Sequence, residues 1–202
     1  DLPGHGQSNG PGKQNVSAYV EWVKKVLEGL GVSKPVLIGH SLGAAISLSF
    51  VIRYGHMAAA VVPVGGGVRM PVNPVILEGL KQDPAAIIGL AAKFSIAKTN
   101  RERFSGLITE TLSRVNPEIL HGDFAACDQL DLMDAVADIR VPALVICGSE
   151  DKMTPLALSQ CLGEKIPDAK LVLIPGAGHF VMLENPEAFN AALFDFVNAL
   201  PA

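Results

Sequence analysis

Short apolar runs alternate with segments of helical period along this chain, and that alternation leaves few folds open to it. Pro35-Val36-Leu37-Ile38-Gly39, Ala58 to Val64, Pro142 to Cys147 and Lys170 to Ile174 each have the length and composition of a strand buried on both faces. Helical patterns lie between and around them. Val16, Tyr19, Val20, Val23, Val26, Leu27 and Leu30 form one apolar stripe, which Ser17 can cap and Gly31 can end. Phe189, Leu193, Phe196, Val197 and Leu200 form another. Five dipeptides place a capping side chain before a proline: Asn73-Pro74, Asp83-Pro84, Asn116-Pro117, Thr154-Pro155 and Asn185-Pro186. The cap oxygen accepts an early helix N–H, and proline lacks an N–H that would go unbonded there anyway.

Strands alternating with helices predict an α/β fold with a mostly parallel sheet flanked by helices. Between Val68 and Ile139 the strand signal disappears and capped helical starts take over. The expected organisation is therefore a first core part over 1–67, a helical cap over 68–139 and a second core part over 140–202.

Half of the 202 residues are apolar and only 18% are charged, enough for a sizeable core. The net charge of −4 offers no positive field for a polyphosphate backbone, which argues against nucleic-acid binding. The longest apolar region, Leu42 to Val64, is broken by Arg53 and His56, so no membrane span is expected. Cys127, Cys147 and Cys161 are too few for a disulfide framework and read as reduced thiols of a cytoplasmic protein. The dispersed histidines show no metal-ligand spacing, and no metal or cofactor is expected. Gly65-Gly66-Gly67 reads as a hinge or turn; no Lys-Ser/Thr follows it to make a phosphate loop.

The chemistry concentrates at Gly39-His40-Ser41-Leu42-Gly43, a G-x-S-x-G motif between an apolar run and a helical pattern. So sharp a turn strains the serine and brings its flanking chains together, so side chains at 39 and 43 are expected to collide. It lifts the Ser41 hydroxyl above the sheet and leaves the Leu42 N–H at a helix N-terminus, ready to donate to an oxyanion. A serine needs a base. His179, in the loop after 170–174, lies where parallel sheets place their sites. His5 reads as structural, His40 as lining the pocket, and His56 and His121 as bland. A base histidine needs a carboxylate to fix its tautomer. Asp151 and the adjacent Glu150 both lie in the loop after 142–147, and composition does not separate them.

Four motifs in order resemble the α/β-hydrolase superfamily: Asp1-Leu2-Pro3-Gly4-His5-Gly6-Gln7-Ser8, Gly39-His40-Ser41-Leu42-Gly43, Gly148-Ser149-Glu150-Asp151 and Gly176-Ala177-Gly178-His179. They reach both ends of the chain and leave 68–139 unmatched. The resemblance implies Ser41 as nucleophile, His179 as general acid–base and Asp151 as its orienter, acting through an acyl-enzyme. Serine at 41 points away from the dehalogenase and epoxide-hydrolase branches, which use aspartate. It points toward esterases, lipases and enol-lactonases. Family members carry three or four further strands, and a His-Gly oxyanion segment, before the first of these motifs. The resemblance thus implies a piece of a longer protein, with strand 35–39 left as an unpaired apolar edge. That edge invites aggregation, and losing one oxyanion donor costs about 10²–10³ in turnover, so the chain alone is expected to be poorly soluble and nearly inactive.

The cap is apolar, with Ile76, Leu80, Ile87, Ile88, Phe104 and Ile108 among its larger members; most should pack its own helices, while Met70, Phe94 and Phe180, with His40, are the expected pocket residues. Arg101, Glu102 and Arg103 read as a solvated helix face. The expected substrate is a small to medium uncharged ester. Lactone, thioester or C–C cleavage by the same triad, and a non-catalytic binding module, remain alternatives.

Overall fold

A computed structural model describes residues 1–201. Its centre is a four-stranded parallel sheet in the order β1 (Val36–His40), β2 (Ala60–Val64), β3 (Leu144–Gly148), β4 (Lys170–Ile174). Helix α1 (Val16–Gly29) precedes the sheet and α2 (Leu42–Tyr54) crosses from β1 to β2. Four helices separate β2 from β3: α3 (Pro74–Gln82), α4 (Pro84–Ser95), α5 (Arg101–Ser113) and α6 (Pro117–Asp128). Helix α7 (Leu156–Lys165) joins β3 to β4, and α8 (Val181–Glu184) and α9 (Pro186–Asn198) follow.

The two-residue period of the strands sorts the core into two layers. Val61 and Val145 face α1, α2 and α7, where Tyr19, Leu48, Phe50 and Leu162 are fully buried. Their neighbours Ala60, Val62, Leu144 and Ile146 face α8 and α9, against Val181, Phe189 and Phe196. Only β2 and β3 are buried along their whole length. The expectation of two buried faces fails for the outer strands, because each has a neighbour on one side only. Ile38 on β1 is 49% exposed, and Leu171 and Leu173 on β4 stand out to solvent.

Helix starts follow local chemistry. Asn73, Asp83, Asn116 and Asn185 each accept an N–H of the helix they precede. Two expectations need correction. Asn15, not Ser17, caps α1, accepting the Ala18 N–H at 2.8 Å. Thr154 does not cap α7, because its hydroxyl is committed to Asp151. Gly31 ends α1 as expected: at φ 64° it lets the Gly31 and Val32 N–H groups bond back to the Glu28 and Leu27 carbonyls.

The helices between β2 and β3 bury their large side chains among themselves, in one cluster around Leu80, Ile87, Ile88 and Leu120 and another around Ala92, Ile96, Phe104 and Ile108. Gly65-Gly66-Gly67 is not a hinge. All three residues are buried, and a Cβ on Gly66 would lie 2.6 Å from the Ala44 Cβ. The segment is a close-packing point between β2 and α2. Among the described residues, no helix is long and apolar enough to cross a membrane.

Candidate active site

The four strands end on one rim, and each sends a loop to the same place. After β1 the chain turns directly into α2 at Ser41, whose φ of 54° and ψ of −115° are strained for a non-glycine residue. The Ser41 N–H is anchored on the Val64 carbonyl at 2.9 Å, and its side chain makes no capping bond to α2, so the hydroxyl is left available. Gly39 is required, since a Cβ there would run into the Gly43 carbonyl. Gly43 is different: a Cβ there meets nothing within 4 Å, because the residue borders a cavity. The expected collision is one-sided.

The loop after β3 supplies Asp151, which is 7% exposed. Its Oδ1 accepts the Met153 and Thr154 N–H groups, both at 2.9 Å. Its Oδ2 accepts the Thr154 hydroxyl at 2.8 Å and faces His179 Nδ1 at 2.9 Å. Burial by itself pushes this carboxyl up. The charge and hydrogen bond of His179, with the Thr154 donors, outweigh it and hold Asp151 below the usual carboxylate range. Glu150 is not the partner; Asp151 is.

A carboxylate at Nδ1 makes that nitrogen the N–H of a neutral His179, which leaves Nε2 as the basic atom. The imidazole is 4% exposed and lies against Gly65, where a Cβ would come within 3.0 Å of Nδ1. Its loop is fastened to the segment that follows α4. The His179 N–H bonds the Ser95 carbonyl at 2.6 Å, and Glu184 accepts the Gly178 and Ala97 N–H groups, each at 2.9 Å, and the Asn100 amide at 3.0 Å.

His40 packs at a tilt against both His179 and Phe180, with ring centroids at 4.5 and 4.9 Å, and those two rings meet edge-on at 5.8 Å. Its Nε2 lies 2.9 Å from the His179 carbonyl, so it carries the proton there. Desolvation first, then the neighbouring His179, pushes its pKa down to about 3. His40 is thus a neutral prop for the His179 backbone.

Ser41 and His179 line one cavity of about 430 Å³. Leu42, at the head of α2, also lines it; the first N–H groups of a helix have no partner inside it. His40 and Phe180 line the cavity wall. Met70 and Phe94 do not. Met70 is packed into the core under α2, and Phe94 is 41% exposed, with the Arg101 guanidinium 5.9 Å from its ring. The apolar wall comes instead from Leu2, Leu112, Val115, Leu120, Phe124 and Met153. Nothing in their spacing separates them from core residues. Thr154 reads as a helix cap rather than a partner of Asp151 three residues before it, and Glu184 and Asp123 act through partners far away in sequence.

A parallel sheet with a strained serine at a strand–helix turn, and a histidine–aspartate pair at the same rim, defines a class of α/β proteins. This chain belongs to the Alpha/beta hydrolase family, whose sequence profile matches residues 1–192. It is 28% identical to 2-hydroxy-6-oxo-6-phenylhexa-2,4-dienoate hydrolase of Burkholderia cepacia, over 98% of this chain and 75% of that protein. The solved structure of a thermophilic esterase superimposes with a TM-score of 0.88 at 38% identity, covering 98% of this chain and 79% of that one. The enol-lactonase of Burkholderia xenovorans LB400 shares the fold, with a TM-score of 0.91 at 22% identity and coverage of 98% and 79%.

Proposed function

We propose that this protein is a serine hydrolase that cleaves an uncharged carboxylic ester of small to medium size through an acyl-enzyme. The observation that carries the proposal is the 2.9 Å pairing of His179 Nδ1 with Asp151 Oδ2, which leaves Nε2 basic beside the cavity that Ser41 lines. His179 Nε2 takes the hydroxyl proton as Ser41 Oγ attacks the ester carbonyl carbon. The Leu42 N–H donates to the oxyanion that forms. Collapse expels the alcohol, which receives the proton from His179. Water, deprotonated by the same nitrogen, then attacks the acyl-enzyme and releases the acid. Asp151 stays ionised and supports the imidazolium. The helices between β2 and β3 act as the cap that shapes the pocket.

The dienoate hydrolase relative favours a second reading, cleavage of a C–C bond beside a carbonyl by the same residues. A dienoate carries a carboxylate. The described cavity wall contains no lysine or arginine to hold one, and that supports the neutral ester. A panel of p-nitrophenyl acetate and butyrate, a lactone and a 2-hydroxy-6-oxo-dienoate separates the readings. The neutral esters are expected to show the highest kcat/KM; faster cleavage of the dienoate overturns the ester assignment.

A further inference from the structure

The catalytic residues use one histidine–carboxylate pair, and the cavity holds a second. His5 and Asp123 line the same cavity as Ser41 and His179, on a wall otherwise built mainly of leucine, valine and phenylalanine. Asp123 is 8% exposed. Its Oδ2 lies 2.8 Å from His5 Nε2, and its Oδ1 accepts the Tyr19 hydroxyl at 2.6 Å.

The bonds to the Asp123 carboxylate all run toward it. The Lys13 N–H donates to the Tyr19 oxygen at 3.0 Å, so the Tyr19 proton goes to Asp123. His5 Nδ1 faces the Pro3 carbonyl at 3.1 Å while Nε2 faces the carboxylate. A carboxylate only accepts, so His5 Nε2 carries the proton that it shares with Asp123. Every donor in the cluster is then spent internally. What is left is acceptor capacity: each carboxylate oxygen can take two hydrogen bonds and receives one from within the cluster. Burial pushes the Asp123 carboxyl up, against the pull of Tyr19 and His5, so the group remains short of solvation.

We propose that Asp123, held by His5 and Tyr19, is an acceptor subsite for an uncharged hydrogen-bond donor, a hydroxyl, that the substrate carries away from its reacting carbonyl. This rests on reading the cavity as the substrate site and names the substrate class more closely: a hydroxy-substituted ester. An alkyl end would leave the carboxylate unsolvated, and a carboxylate end would meet like charge. A cluster serving only to tie the 1–13 loop to α1 and α6 would affect stability and leave ligand preference alone.

The test is binding to the Ser41→Ala chain, where turnover plays no part. Titration calorimetry with 6-hydroxyhexyl butyrate and with heptyl butyrate, its near-isostere, reads the preference directly. The hydroxyl ligand is expected to bind about tenfold more tightly, the effect of one hydrogen bond to a charged group. Adding Asp123→Asn is expected to remove most of that preference. Adding Tyr19→Phe is expected to lower the melting temperature and keep it. Equal or tighter binding of heptyl butyrate overturns the subsite, as does a preference unchanged by Asp123→Asn. If Asp123→Asn does not fold, the comparison in the Ser41→Ala chain decides alone. An active esterase whose cavity ignores the hydroxyl would sink this subsite and leave the hydrolase reading standing. A hydroxyl-selective cavity in a chain that cleaves no ester would do the reverse.

Discussion

Two glycines in one pentapeptide carry unequal constraints. Gly39 has the Gly43 carbonyl where its Cβ would be, and Gly43 has open cavity. Gly39→Ala is expected to cost more than about 4 kcal/mol and to abolish folding. Gly43→Ala should fold with a melting temperature close to that of the parent and a raised KM for bulky esters. Thermal unfolding and a KM series over acyl size check both. The motif was legible because its chemistry is local; which glycine is indispensable was not, since that depends on where the helix points. His40 makes the matching electrostatic prediction. Its folded pKa of about 3 lies below its unfolded value of 6.5, so the unfolded chain takes the proton first as pH falls. Stability is expected to drop by up to about 1.4 kcal/mol per pH unit below 6.5. His40→Gln, which can still donate to the His179 carbonyl, should lose less between pH 7 and pH 5 in urea unfolding. An identical loss in both proteins would contradict this role.

At the scale of elements, capping chemistry placed four of five helix starts, and the exception is instructive. Thr154 sits before a proline like the others, but the buried Asp151 carboxylate three residues earlier claims its hydroxyl. The demand of the buried carboxylate overrode the capping propensity. Glu184 shows the same effect from the opposite side. Nothing around it in sequence marks it, yet it joins the His179 loop to the segment after α4 through three N–H groups. Glu184→Gln puts an amide donor where one of those acceptors stood. It is expected to lower kcat about 10–100-fold while changing KM little, because the imidazole loses its registration rather than the pocket its shape. Steady-state kinetics on p-nitrophenyl butyrate decide it; an unchanged kcat would remove Glu184 from the positioning of His179.

On the scale of the whole molecule, the alternation of runs and stripes gave the parallel sheet and its helical insertion. The pattern alone did not give the strand order, because apolar runs look alike whether they end up central or at an edge; the family resemblance is what placed strand 35–39 at an edge. The structure puts β1, the strand that leads into Ser41, at the edge, with Ile38 half exposed. An apolar edge of this kind pairs with other chains. Ile38→Lys is therefore expected to reduce concentration-dependent association in sedimentation velocity, and a parent chain that stays monomeric, or a distribution unchanged by the substitution, would contradict pairing through this edge. The convergence of Ser41, Asp151 and His179 is the property on which the functional proposal stands. Labelling with a fluorophosphonate, followed by peptide mapping, tests it most directly. The account predicts a single adduct on Ser41 that becomes at least a hundredfold slower to form in His179→Ala; an adduct elsewhere, or labelling of Ser41 indifferent to His179, would contradict it.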